Sequence, residues 1–268
     1  MPVHDAYARI TPFELLLPEE EFADKRFPAI EEEAKEREAD LSDPERFALL
    51  SEAGAVLRTI RGPDDDPQLI HQMGILLFHA FHFWKHGQPF FQVETGVMRY
   101  LTETGPGEGD WAPSLPGGAG YVQLPQHLFW VPGQEGDAPE SLDGFFWSNP
   151  DRDNLSFLIA MGIRKDRPGL SVVPLPTLPI SSAADWASLQ VRPEGGDFQS
   201  SLPGAELENL YSIQAGAEAI KLVMRVFWYL DVFPSSVVAG TPAPEGSEGS
   251  EGPQPSGLDA RRVILGQD

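Results

Sequence analysis

Apolar positions in the first hundred residues recur at helical spacing. Phe47, Leu50, Ala53, Val56, Leu57 and Ile60 follow Asp43-Pro44, which reads as an N-cap and first-turn proline, and Gly62 closes the segment. A second start, Asp66-Pro67, predicts a helix reaching about residue 86 with Gly87 at its end. Its apolar content (Ile70, Met73, Leu76, Leu77, Phe81, Phe83, Trp84) predicts burial around most of the circumference. Upstream, the charged run at 31–40 is made of strong helix formers and predicts an exposed helix with a solvated face. Residues 90–101 read as a short strand leading into a helix.

The period changes at residue 121. The stretches 121–131, 144–148, 155–163 and 170–175 are short, aromatic and branched, and turn-forming residues separate them. Connections this short fit an antiparallel meander and leave no room for crossover helices. Residues 178–189 predict a strand end and then a short helix, with Ser181 or Ser182 as its cap. The strongest periodicity lies at 205–233, where Leu207, Leu210, Ile213, Ala217, Ile220, Met224 and Phe227 predict one long helix stopped by Pro234. The fold class expected is therefore α+β: a mainly antiparallel meander packed with N-terminal helices and a long C-terminal helix. Residues 1–235 are expected to form one domain. Residues 236–257, rich in Gly, Pro, Ser and Glu, are expected to be disordered because they bury too little apolar surface to offset ordering entropy. Residues 258–268 follow as a tail, returning as a strand or staying loose.

Charge narrows the list of partners. The formal net charge is −22, from 41 acidic and 19 basic residues. Binding a phosphate backbone or an anionic membrane normally requires clustered Lys and Arg, so neither direct nucleic-acid nor membrane contact is expected. A protein or peptide partner is expected instead, a basic one being complementary; solubility alone also accounts for the charge. Cysteine is absent, which excludes disulfides and thiolate chemistry. The opening residues lack the basic start and apolar stretch of a signal peptide, and the apolar segment near 215–233 is interrupted by Glu218, Lys221, Arg225 and Asp231. A cytoplasmic protein is expected.

Candidate chemistry is sparse. His71, His79, His82 and His86 fall within one quadrant of the predicted helix at about 100° per residue. His82 and His86, at i and i+4, have a spacing that can share a metal, and His79 is the nearest further ligand. No carboxylate or thiolate lies nearby to complete a site, so a polar stripe explains the row more simply; an enzyme or metal protein using it is the alternative reading. The row is also placed to titrate near neutral pH. Asp151, Asp153 and Asn154 read as a hairpin turn, since a calcium loop would continue to a glycine and a distant Glu. The Gly- and Pro-rich stretch 105–120 lacks the Lys that ends a phosphate-binding loop, and no GxSxG or SxxK occurs. No cofactor motif is found, and catalytic activity is not expected. An aromatic cluster, Tyr121, Phe129, Trp130, Phe145 and Trp147, lies on successive predicted strands. Alternation sets Phe146 opposite Phe145 and Trp147, so one face covers a core while the other is a candidate binding surface; core packing on both faces is the competing reading.

The order of segments adds a further expectation. YVQLPQHLFWV, LDGFFWS, DNLSFLIAMGI, VVPLPTLPISSAADWASL and then AIKLVMRVFWYLDVFPS together resemble the central and C-terminal parts of a type V-A anti-CRISPR family, over about residues 85–235. The resemblance rests on the order, no segment being diagnostic alone. It implies a binding surface without an active site, one that recognises the N-terminal segment of a nascent type V effector nuclease and lowers its production. The chain departs from the family after Pro234, where an acidic low-complexity stretch replaces a long basic segment.

Overall fold

The computed structural model describes residues 5–17, 20–60, 67–107, 111–131, 139–161, 171–190, 211–212, 216–243 and 254–266. The helices are α1 (Pro12–Leu16), α2 (Glu20–Glu36), α3 (Pro44–Ala48), α4 (Ser51–Ile60), α5 (Pro67–Lys85), α6 (Thr95–Glu103), α7 (Ala183–Ser188) and α8 (Gly216–Val232). The strands are β1 (Phe90–Val93), β2 (Ala119–Gln123), β3 (Phe129–Val131), β4 (Glu140–Ser148), β5 (Asn154–Met161), β6 (Ser171–Pro179), β7 (Tyr211–Ser212), β8 (Val237–Ala239) and β9 (Ala260–Val263). They form one sheet in the order β6-β5-β4-β2-β1-β9-β8, with β3 pairing β4 and β7 pairing β3.

The α+β class and the antiparallel run β2-β4-β5-β6 agree with the expectation. The meander is not the whole sheet. β1 pairs in parallel with both β2 and β9, and β7 pairs in parallel with β3. Parallel pairing becomes available here because α6 and the loop after it carry the chain from the end of β1 back to the start of β2.

Helices cover both faces of the sheet. Helices α1 to α5 share one buried cluster with Phe90, Tyr121, Phe146 and Leu158. Helices α6, α7 and α8 share the other with Phe91, Val122, Phe145, Trp147 and Phe157. The period-two alternation of β4 connects the two: Trp147 lies 5.3 Å from Phe227 of α8, and Phe146 lies 5.6 Å from Phe83 of α5. The Trp147 indole lies so closely over Gly120 that a β-carbon there would come within 2.0 Å of it. Only glycine fits that position of β2.

Several boundaries differ from the sequence expectation. The helix expected across 44–62 is two helices, with Leu49 exposed at the break. The carboxylate of Glu33 on α2 accepts hydrogen bonds from the N–H groups of Ser51 and Glu52, so α4 is capped from another helix. The charged run thus does more than solvate: Glu33 supplies that cap, and Glu31 pairs with Lys85 at 2.7 Å. The long C-terminal helix begins at Gly216 rather than at residue 205; Tyr211–Ser212 is a strand, and 205–210 lie outside the described residues. The Ser182 hydroxyl does not cap α7 but donates to the Pro179 carbonyl. The sheet also continues past residue 235, since β8 and β9 belong to it and Ser256 donates its N–H to the Ala8 carbonyl. Within the segment expected to be disordered, residues 244–253 lie outside the described residues.

Two buried arginines fasten the assembly. Arg9 donates to the Asp143 carboxylate at 2.9 Å and to the Leu124 carbonyl at 2.8 Å, which pins the N-terminal segment against β2 and β4. Arg225, at the middle of α8, donates to the carbonyls of Leu101 and Thr104 at the end of α6 and of Ala187 and Leu189 at the end of α7. Two helix C-termini, each with unpaired carbonyls and the negative end of a helix dipole, converge on one guanidinium. Replacing it leaves several buried acceptors without donors. Arg225→Met is expected to lower unfolding free energy by about 2–4 kcal/mol in urea titrations, and Arg225→Lys to recover little of it because one ammonium cannot span both helix ends. Near-neutral stability of Arg225→Met would show that the bracket is dispensable.

Candidate functional site

A groove of about 1290 Å³ runs along the β8 side of the sheet. Four separated stretches of chain build it: 86–90 after α5, 116–118 before β2, 237–243 through and after β8, and 256–261 leading into β9, with Ala8 beside them. The first stretch turns sharply because Gly87 and Gln88 both adopt positive φ, at 76° and 57°, and Gln88 donates its N–H back to the Phe83 carbonyl. This is a helix C-terminal turn that directs Pro89 into β1. The last stretch is held to α1, whose Glu14 carboxylate accepts from the Ser256 hydroxyl at 2.8 Å and the Gly257 N–H at 2.7 Å.

The groove offers backbone and small side chains more than reactive groups. Among its lining residues Asp259 is a carboxylate, Arg261 a cation and His86 an imidazole. Arg261 lies over the Phe91 ring at 5.8 Å, and the neighbouring Arg262 is paired with Glu94 and donates to the Thr241 hydroxyl. Ser256 is committed to Glu14 and to the Leu258 N–H, which makes its hydroxyl part of a turn.

The strand edge at the groove is open among the described residues. The Ile264 N–H donates to the Ser236 carbonyl and the Gly240 N–H to the Ala260 carbonyl. Alternation in an antiparallel pair then turns residues 236, 238 and 240 toward β9 and residues 237 and 239 away from it. The Val237 N–H bonds the Pro234 carbonyl, whereas the Ala239 N–H faces the open edge. The opposite edge of the sheet, β6, carries Pro174, Pro176 and Pro179, residues that blunt strand addition.

The aromatic residues expected to form a binding surface are all interior. Tyr121, Phe129, Trp130, Phe145 and Trp147 are each 2% exposed or less. Tyr121 donates to Asp143 at 2.5 Å, and burial together with that carboxylate raises its pKa well above 10. Trp130 donates to the His127 carbonyl at 2.9 Å. Helices cover both sheet faces, so alternation sends Tyr121 into one core and Phe129, Phe145 and Trp147 into the other, while Trp130 stacks on the His127 ring at 5.7 Å. The competing reading, packing on both faces, is the one observed.

The histidine row is also divided. His71 and His86 are exposed, while His79 and His82 are buried at 2% and 3% exposure. The row is therefore not a solvated stripe. His82 Nε2 bonds the Leu41 carbonyl at 2.9 Å, and His79 Nδ1 has no hydrogen-bond partner among the described residues. Burial lowers the His79 pKa to about 3, aided by His82, and that of His82 to about 4, so neither titrates near neutral pH. Among the described residues no group of three His, Asp or Glu is placed to hold a metal ion. The Asp151 carboxylate accepts from the N–H groups of Asp153 and Asn154, which makes this a side-chain-stabilised turn. The groove has no sequence signature of its own: Gly-Gln-Pro at 87–89 and Pro-Gly-Gly at 116–118 signal turns but not their meeting.

No family model and no curated protein matches this chain. Among solved structures, the crystal structure of AcrVA2 aligns with a TM-score of 0.43 and 13% identity, covering 94% of this chain and 81% of that one. No helix among the described residues is long and apolar enough to cross a membrane.

The two buried imidazoles set an acid limit. Their folded pKa values lie below the ordinary 6.5, so the unfolded chain takes up protons first as pH falls. Stability they leave intact above pH 6.5 is lost between there and about pH 4 for His82 and about pH 3 for His79, at up to about 1.4 kcal/mol per pH unit for each imidazole. Urea melts at pH 7.5 and pH 5 should show that loss, and His79→Leu should make the profile shallower. A flat profile over this range would show the imidazoles to be uninvolved.

Proposed function

We propose that this chain is a protein-binding regulator without catalytic activity, and that it receives an extended polypeptide segment in the groove beside β8. The observation that carries the reading is the open β8 edge, with the Ala239 N–H turned into a groove lined by backbone and small side chains. A peptide adding to such an edge gains main-chain hydrogen bonds, and pockets beside alternate side chains supply selectivity. The net charge of −22 favours a basic segment through long-range attraction. The proline-bearing β6 edge favours addition at β8 over the far side of the sheet.

The order of segments across 85–235 supports a finer reading. On it the chain is anti-CRISPR-like: it engages the N-terminal segment of a nascent type V effector nuclease in the cytoplasm and lowers its production. Co-expression with a type V effector separates the two levels of the reading. Effector protein and transcript are both expected to fall, and Ala239→Pro, which removes the outward donor and spares the β9 ladder, is expected to restore them by about tenfold, equivalent to one or two main-chain hydrogen bonds. Unchanged effector levels with the unmodified chain would remove the nuclease-specific reading. Suppression, or peptide capture, that is as strong in Ala239→Pro as in the unmodified chain would remove the groove.

A further inference from the structure

A second recess of about 560 Å³ lies next to the groove and shares His86, Gly117 and Gly118 with it. Its lining is unusual for a chain of net charge −22: Lys85, His86 and Arg152 face it, and among the described residues no carboxylate does. The remaining walls are Asn149 and Gly, Pro, Leu and Ile residues.

Lys85 is already paired with a carboxylate, whereas Arg152 and His86 have no ion-pair partner among the described residues. The Asn149 N–H donates to the Gly118 carbonyl at 2.7 Å, which ties the turn after β4 to the loop before β2. Asp151 is occupied in bracing that turn, with its oxygens accepting from the N–H groups of Asp153 and Asn154 and from the Asn154 amide. Arg152 therefore stands at the turn with a left-handed φ of 68° and no ion-pair partner among the described residues. Lys85 shares its ammonium with Glu31 on α2 at 2.7 Å and lies over the Phe81 ring, which leaves it N–H groups to donate. The His86 imidazole packs against Gly118 so closely that a β-carbon there would come within 2.3 Å of its ring, so only a glycine leaves it in this position.

We propose that this recess binds a phosphate group, free or carried on a side chain, between the Arg152 guanidinium, the Lys85 ammonium and the His86 imidazole. A dianion supplies counter-charge to the Arg152 guanidinium, which has no ion-pair partner among the described residues, and Arg and Lys are the residues that recognise such groups. The charged groups around His86 are Lys85 on its own helix, Arg152 across the recess and Glu31 beyond Lys85. Desolvation and the Lys85 charge lower the His86 pKa, so a bound phosphate should raise it. The proposal stands on the recess alone and does not depend on peptide binding in the groove.

The test follows the His86 ring by NMR in the full chain as inorganic phosphate or O-phosphoserine is titrated at constant ionic strength. Saturable shifts with an upward move of the His86 pKa are expected with at least one of the two probes, and the tighter one identifies whether the group is free or carried. Acetate at the same concentrations should bind more weakly, because it carries half the charge. Arg152→Asn, chosen because Asn tolerates positive φ, is expected to weaken binding about fivefold. The proposal is overturned if the His86 signal moves no more in phosphate and phosphoserine than in chloride of equal ionic strength. It is equally overturned if both Arg152→Asn and Lys85→Gln bind as tightly as the unmodified chain.

Discussion

The architecture depends on one sheet being buried on both sides. Strand β4 sits near its middle, and its consecutive aromatic residues face alternate layers, Phe146 toward α5 and Phe145 and Trp147 toward α8. Burial of three large rings within three residues is a strong driving force, about 1.5–3 kcal/mol for each, and it is available only if helices cover both faces. That requirement places α1 to α5 on one side and α6 to α8 on the other, and the charged groups between the layers are inserts tied to carboxylates or carbonyls. Arg9 with Asp143, and Arg225 with two helix ends, are such inserts.

The same constraint decides where a binding site can lie. A sheet sealed on both faces presents no aromatic platform, so the surfaces left for a partner are its ends and edges. One edge carries prolines and the other does not. At the open edge four loops meet in a groove, and the recess beside it gathers cations in an otherwise acidic protein. The groove needs both ends of the described chain: Ala8 and α1 come from one, β8 and β9 from the other. Residues more than two hundred positions apart, such as Glu14 and Gly257, hold it together.

Pattern and propensity were informative about individual elements. Asp43-Pro44 does cap α3, α5 does begin at Pro67, Pro234 does follow the end of α8, and the alternation at 145–147 does divide two faces. Structure departs from local pattern where another segment intervenes. The break after Leu49 depends on a carboxylate from α2, and α8 starts later than its period implies because residues 211–212 pair with β3 instead of continuing a helical period. The histidine row shows the same effect: four residues on one quadrant read as a stripe, but α5 packs deeply enough that its middle two lie in the core while its ends do not.

What the amino-acid order determined alone was therefore local: which stretches coil, which extend, where each stops, and which side chains share a face. These follow from steric limits on the backbone and from spacing within a few residues. Which strands become neighbours, whether a face meets water or another layer, and which loops gather into a groove were decided only by tertiary packing. Those outcomes rest on contacts between distant segments, such as β9 entering between β1 and β8, and a short-range pattern carries the identity of a face but not of its partner.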